Sequence, residues 1–391
     1  LKPRLYISVL VFTMASLQAC IPTRNLGEDE KLLISITPKG LETVNAAAIE
    51  ALYQQEPNRV VLGSTPYLAL YNFGKKFYNP QHIQERIEKQ EAKRNRKLGE
   101  ASLDSTKAQR LRTKFDNRIK RLQDNKKEGN LLMQIGEPPA IYDSTLMAET
   151  MEQIDIYLNS KGYFNHKSGY EKKIRREKLV DITINIEENA PYRYTEFSYG
   201  IPDSAMLRLV QATSSRSLLQ LGEKYDEDQL SAERDRLYNL MKNRGYYDFA
   251  RAYIEFEVDT SFAGKTARVK TIIQSPEQGV KHPLYTINKV YFKTDADRFG
   301  IPRDTIRYNG LTYVAYTHRF SPFILDKKVD IYPGQRYSQL RTSTTQRKLA
   351  ELDVFQFNNV LYNKTTTPTD SSYQLDAYIN ALPAKKFQET I

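Results

Sequence analysis

The chain has 391 residues, room for two or three domains at the ~150 residues a domain commonly takes. Hydrophobic residues make up 40% and charged residues 27%, a globular balance that excludes an intrinsically disordered chain. A single cysteine excludes a disulfide scaffold and any multi-cysteine zinc site. Tyr at 27 and Phe at 16, with no Trp, favour β-rich structure. The 58 Lys and Arg outnumber 47 Asp and Glu, a net charge of +11. Residues 81–128 hold 15 basic and 8 acidic side chains, and the rest beyond residue 19 is nearly balanced. The high isoelectric point therefore belongs to one segment and does not support nucleic-acid binding by the whole protein.

The chain opens with Lys2 and Arg4, followed by an apolar run over residues 5–17. Thirteen residues are too short to span a bilayer and fit the hydrophobic region of a secretory signal, here 1–19. The run ends in Leu17-Gln18-Ala19-Cys20. This resembles a bacterial lipoprotein lipobox, which implies lipid attachment at Cys20 and tethering of the mature chain to a membrane surface, the alternative being an ordinary signal peptide with an incidental cysteine. The first residue is not Met, which places it inside the signal. After residue 20 no apolar stretch approaches the ~20 residues of a membrane helix.

Residues 81–128 are expected to form two helices, with Ile83 and Ile87 on one and Leu111, Phe115, Ile119 and Leu122 on the other. A turn near residues 99–105 separates them. One reading is a solvated helical hairpin; the other is an electrostatic contact with anionic lipid head groups or an acidic partner. Nucleic acid is the poorest choice, since the segment offers almost no aromatic platform for bases.

Three stretches then share one pattern. Gly136-Glu137-Pro138-Pro139-Ala140-Ile141-Tyr142-Asp143 opens a helix carrying Met147, Met151, Ile154 and Leu158, and Gly162-Tyr163-Phe164 closes it. Val180, Ile182, Ile184 and Ile186 alternate with polar residues, as a half-buried strand does. Gly222-Glu223-Lys224-Tyr225-Asp226 opens a second helix carrying Leu230, Leu237, Leu240 and Met241, and Gly245-Tyr246-Tyr247 closes it. Tyr253, Glu255 and Glu257 alternate with Ile254, Phe256 and Val258, and a second strand follows at 268–274. Pro333-Gly334-Gln335-Arg336-Tyr337 starts a looser third copy with Leu340, Leu349 and Leu352, ending in a strand carrying Tyr373, Leu375, Ala377 and Ile379. A strand at 31–37, 192–199 and 284–293 precedes each copy. Residues 295–333, rich in Tyr with Pro302 and Pro322, form an insert in the third copy.

The unit of strand, two helices and two strands, with these helix starts and ends, resembles a POTRA domain. Three in tandem behind a lipobox resemble the periplasmic arm of the BamA/TamA outer-membrane assembly family, nearest to its lipoprotein branch, the TamL proteins. The resemblance implies an α+β fold of tandem modules, each a three-stranded mixed sheet with helices on one face. It sets the boundaries as a linker at 20–28 and modules at 29–188, 190–276 and 283–383. The basic helical hairpin is an insert in the first module. Family members continue into a membrane β-barrel, so 384–391 is read as the start of a link to it. The chain is then a fragment of a longer protein, the alternative being a barrel-less relative.

Of His82, His166, His282 and His318, only His82 has a carboxylate at helical spacing, Glu85, too few ligands for a metal, and no phosphate loop or nucleophile elbow is present. No catalytic residue, cofactor or metal site is assigned. Sheet edges can instead accept an extended peptide by backbone pairing. The edges implied by the family are 163–174, 246–258 and 355–362. The middle one is preferred, at Tyr253, Ile254, Glu255, Phe256 and Glu257, with Tyr253, Glu255 and Glu257 facing outward, the alternative being a plain solvent-exposed sheet. Function by resemblance is the capture of unfolded β-barrel precursors and their delivery to a barrel. The implied partners are those precursors, a TamB-like envelope protein and outer-membrane lipid through acylated Cys20, with no nucleic acid. The rival reading is a lipid-anchored scaffold of an envelope complex.

Overall fold

The computed structural model describes residues 23, 26–100, 105–295, 304–365 and 373–384. The expected signal peptide, Cys20 and residues 385–391 lie outside the described residues. The chain divides into two compact units, one reaching Asn189 and the other made of Ser160–Gly162 with Ala190 onward.

The first unit contains β1 (Leu32–Lys39), α1 (Ala46–Glu50), α2 (Pro66–Lys75), α3 (Pro80–Glu100), α4 (Ser105–Glu128), α5 (Leu131–Ile135), α6 (Ser144–Ser160), β2 (Lys167–Arg175) and β3 (Leu179–Glu187). The sheet order is β1-β3-β2, with β1 parallel and β2 antiparallel to β3. Alternation in β3 buries Val180, Ile182, Ile184 and Ile186 on one face, against Met147, Ile154 and Leu158 of α6. These helical residues recur at seven and four residues, two turns and one, so one stripe meets one sheet face.

Between α1 and α6 the helical segment runs over four helices, α2–α5, where the sequence pattern marks two at 81–128. Helices α2 and α5 pack together at its root, where Gly74 lies against Asn130, Leu132 and Met133. Asn130 caps α5 through its bond from Met133 N–H and donates from Nδ2 to the Gly74 carbonyl, 2.7 Å. The apolar run Tyr67–Phe73 in α2 needs this partner, which net charge alone does not reveal.

The second unit contains two sheets. Its first part has β4 (Arg193–Gly200), α7 (Ser204–Ala212), α8 (Glu227–Lys242), β5 (Ile254–Asp259) and β6 (Thr266–Ile273), with sheet order β4-β6-β5. Asp226 caps α8 by accepting from Asp228 N–H, and Glu227 and Asp228 complement the helix dipole. Leu230, Leu237 and Met241 form its buried stripe. At the end of α8, Gly245 takes φ +109°, a conformation that a side chain would strain.

The second part has β7 (Tyr285–Lys293), β8 (Asp304–Tyr308), β9 (Leu311–Ala315), α9 (Pro322–Asp326), α10 (Gln339–Ala350), β10 (Phe355–Lys364) and β11 (Tyr373–Pro383). Its sheet has five strands, in the order β10-β11-β7-β9-β8, two more than the three expected. The additional pair, β8 and β9, lies within residues 295–333. Asn309 and Gly310, with φ 48° and 79°, turn β8 back onto β9, and β9 runs parallel to β7 beside Tyr291, Phe292 and Lys293. Asn-Gly is the favoured pair for such a two-residue turn. Leu340, part of the third copy's apolar pattern, is exposed.

The repeated helix-start motif has one structural job in all three copies. Single bridges join Leu32 to Ile141, Arg193 to Lys224 and Thr286 to Arg336. In each, the segment before the long helix pairs with the first strand of its own sheet. Tyr142, Tyr225 and Tyr337 donate N–H to the carbonyls of Lys31, Tyr192 and Tyr285. With α2–α5 and the β8–β9 hairpin set aside, each copy keeps the β-α-α-β-β order that the resemblance implies. Among the described residues no helix is long and apolar enough to cross a membrane.

Candidate functional site

Strands β2, β5 and β10 each end their sheet on one side, and each follows the last helix of its copy. They differ in length and chemistry. Strand β2 is well exposed and carries Lys167, Lys172, Lys173 and Arg175. Lysines along an edge deter pairing with another chain. Strand β5 has six residues and alternates buried Ile254 and half-buried Phe256 and Val258 with exposed Glu255, Glu257 and Asp259. Glu257 pairs with Lys270 at 3.0 Å.

Tyr253 is not part of this strand. It ends a 3-10 turn, Arg251–Tyr253, and packs half-buried on Phe249 and His282, with ring centroids 5.7 and 4.8 Å away. The outward row expected at Tyr253, Glu255 and Glu257 is therefore reduced to the two glutamates. Aromatic packing turns Tyr253 inward, and alternation alone does not register such a turn.

Strand β10 is the longest of the three edges, ten residues with one terminal cation, Lys364, and no acid. The ladder fixes which backbone groups face away from the sheet. Thr365 donates to the Gln374 carbonyl at 3.1 Å, which makes 365, 363, 361, 359 and 357 the bonded positions of the antiparallel pair. The N–H and C=O groups of Asn358, Val360, Tyr362 and Lys364 then point away from β11. The same logic applied to β5, from the 2.8 Å bond between Gln274 N–H and the Tyr253 carbonyl, leaves only Ile254, Phe256 and Val258 facing outward. Strand β10 thus offers one more repeat for an incoming strand.

Its side chains divide by face. Val360 and Tyr362 pack on the core beneath α10, while Phe357 and Leu361, 55% and 53% exposed, lie on the opposite face. Across β11, Phe357 is paired with Leu382, also 53% exposed, and Leu361 with Tyr378. Tyr378 in turn stacks on Tyr291 of β7 at 5.0 Å with 13° between the rings. Asn380 donates to Asn359 between the two apolar rows, 2.9 Å. The open face beside β10 is therefore apolar and aromatic with few charges.

The inner face of β10 is tied to the preceding copy within the same unit. Tyr247 meets the rings of Tyr337, Tyr285 and Tyr362 at 4.9, 5.6 and 5.7 Å. Burial pushes the Tyr362 phenol up to about 12, against the bond to Thr342 Oγ1 at 2.6 Å. Burial likewise lowers the Lys242 ammonium, which lies over Tyr247 and Tyr337 at 5.2 and 5.3 Å. Lys364 donates to Asp248 at 2.9 Å, a bond that raises the pKa of the lysine. The Gly245 carbonyl accepts from Tyr285 N–H at 2.9 Å, and Asn243 Oδ1 accepts from Leu340 N–H at 2.7 Å. Helix α10 is therefore capped from the end of α8.

Two histidines have carboxylate partners that sequence spacing did not disclose. His166 Nε2 lies 2.9 Å from Asp155, and His318 Nε2 lies 3.6 Å from Asp304. Ser168 donates to the same Asp155 oxygen, 2.5 Å. The carboxylate stands between hydroxyl and imidazole, so the imidazole has no path to the serine proton. His282 is buried, with Nε2 2.8 Å from the Gln274 carbonyl. Among the described residues no group of three or more His, Cys, Asp or Glu is placed to hold a metal ion.

Neither a protein-family model nor a curated protein matches the chain. Among solved structures, it is similar to POTRA domains 3–5 of BamA from Haemophilus influenzae, at 11% identity and TM-score 0.35, over 92% of this chain and 99% of that one. It is also similar to the N-terminal domain of Omp85 from Thermosynechococcus elongatus, at 14% identity and TM-score 0.22, over 64% and 88%. A third similarity is to BamA from Haemophilus ducreyi lacking POTRA domains 1–3, at 12% identity and TM-score 0.33, over 49% and 29%.

Proposed function

We propose that the chain is a periplasmic strand-receiving arm of an outer-membrane assembly factor, built from three POTRA-like modules. Strand β10 carries this reading. It combines ten uncharged or singly charged residues, outward backbone groups at every second position and an apolar row at Phe357, Leu361 and Leu382. A β-barrel precursor strand alternates apolar and polar side chains. Backbone pairing would hold such a strand without demanding a sequence, and its apolar face would lie along that row. The shorter, acid-lined β5 edge at Ile254, Glu255, Phe256 and Glu257 is a second receiver in the same proposal.

In this reading Cys20 is acylated and anchors the arm to the outer membrane, as in the TamL branch. A TamB-like envelope protein is the partner, and captured strands pass to a barrel continuing beyond residue 391. The modules work without cofactor or turnover.

Asn358→Pro tests the site. Proline removes an outward N–H and leaves the Asn359 and Phe357 ladder bonds to β11 intact, as edge strands tolerate. The full chain is expected to bind a labelled peptide of alternating apolar sequence, and the variant to lose about tenfold in affinity or more with unchanged circular dichroism. Equal affinity for the two would exclude β10 as the receiver.

A further inference from the structure

The helical arm formed by α3 and α4 has two chemically different flanks. Ile87, Phe115 and Ile119 are buried between the helices, and with Ile83, Arg94 and Leu98 of α3 and Leu111 and Leu122 of α4 they mark the contact stripes at one-turn spacing. The helices run antiparallel, with Arg94 bonded to Asp116 at 2.8 Å and Lys126 to Gln84 at 2.8 Å. In an antiparallel pair, positions that immediately precede the contact residues fall on the same side of both helices. Those positions are His82, Arg86, Lys93 and Lys97 on α3 and Arg110, Lys114, Arg118 and Arg121 on α4. They hold seven cations and no acid.

The positions that follow the contact residues are Gln84, Glu88, Asn95 and Gly99, with Arg112, Asp116, Lys120 and Gln123. Their charges cancel, and both cross-helix polar bonds reach into this flank through Asp116 and Gln84. On the cationic flank, among the described residues, none of the seven basic side chains takes part in an ion pair, and all are exposed except half-exposed Lys97.

We propose that this flank rests on an anionic phospholipid surface. The cations span about 17 Å on each of two helices about 10 Å apart, a flat array suited to many head groups and not to one pocketed phosphate. The arm's single aromatic, Phe115, is buried, so bases have nothing to stack on. At the root of the arm, Phe77 and Leu131, three residues before α3 and three after α4, are 69% and 67% exposed. Exposed apolar groups at the base of a cationic arm match the interfacial layer of a bilayer, where both find partners. An acidic protein would match the charge alone.

The test uses the chain from residue 20 onward with Cys20→Ser, so that no lipid anchor contributes. Binding is measured by flotation with vesicles of phosphatidylcholine alone and with phosphatidylglycerol added. Salt-sensitive binding to the anionic vesicles only is expected. Arg110→Gln/Lys114→Gln/Arg118→Gln/Arg121→Gln should reduce it by more than about tenfold. Arg112→Gln/Lys120→Gln/Lys127→Gln, on the other side of the arm, should change it less than about threefold, with helicity of both variants retained. Equal losses in the two variants, or equal binding to both vesicle types, would overturn the assignment. So would release from the vesicles by polyglutamate or duplex DNA at matched charge concentration, which would identify an acidic protein or nucleic acid as the better ligand.

Discussion

Replacing Glu188 probes a buried carboxylate that organises the first unit. Its side chain is 4% exposed and accepts from the N–H groups of Glu42, Thr43 and Val44 at 2.8, 3.0 and 2.9 Å and from the Thr43 hydroxyl at 2.6 Å. That hydroxyl also contacts Tyr163 Oη. Burial alone would raise the carboxyl pKa, but the Thr43 hydroxyl and the three N–H donors together hold it below the usual range. Glu188→Gln keeps the shape, leaves one acceptor oxygen for four donors and turns an NH2 toward N–H groups. Bonds to a charged acceptor are worth about twice neutral ones, and each buried donor left unpaired costs about 1–3 kcal/mol. The variant should lose about 3 kcal/mol, or about 6–12 °C in Tm for a unit of this size. Thermal unfolding by circular dichroism measures the loss, and hydrogen exchange in β1 and β3 assigns it to the first unit.

The pH dependence has a definite sign. A carboxylate whose folded pKa is depressed stabilises the fold above its unfolded value, near 4.3, and that contribution disappears as pH falls through the folded pKa. The gap between wild type and Glu188→Gln should therefore be constant near neutral pH and close below about pH 4. A Tm within about 2 °C of wild type at pH 7, or a gap that widens on acidification, would refute this account of the carboxylate.

Tyr247→Ala removes three edge-on ring contacts and should cost about 3 kcal/mol. Urea unfolding should show β7 and β10 losing protection before β6. Gly310→Ala places a side chain at φ 79° and should cost about 1–2 kcal/mol, read as a lower midpoint for the five-stranded sheet. Phe357→Ser with Leu361→Ser alters exposed positions, so stability should move by less than about 0.5 kcal/mol each. Peptide binding should weaken several-fold in the same variant.

Regular patterning makes the modules legible in the sequence. The alternation of Val180, Ile182, Ile184 and Ile186 marks a sheet face, and Gly245-Tyr246-Tyr247 marks a helix end. The Asn309-Gly310 turn was equally open to reading, but the tyrosine-rich sequence around it hid the β8–β9 hairpin. Glu188 could not be found from its neighbours, because its donors lie some 145 residues earlier. The cationic flank required knowing that α3 and α4 pair antiparallel. Strand β10 stood among the expected edges, yet its advantage over β5 depends on ladder phase, exposure and the turning-in of Tyr253. None of these is a property of local sequence.

Backbone amide exchange at single-residue resolution, with and without an alternating apolar peptide, tests strand capture most directly. Bound peptide should slow exchange at Asn358, Val360 and Tyr362, whose N–H groups face outward, and leave Asn359 and Leu361 unchanged. Slowed exchange confined to helices or other sheets, with β10 unaffected while the peptide is bound, would contradict strand addition at this edge.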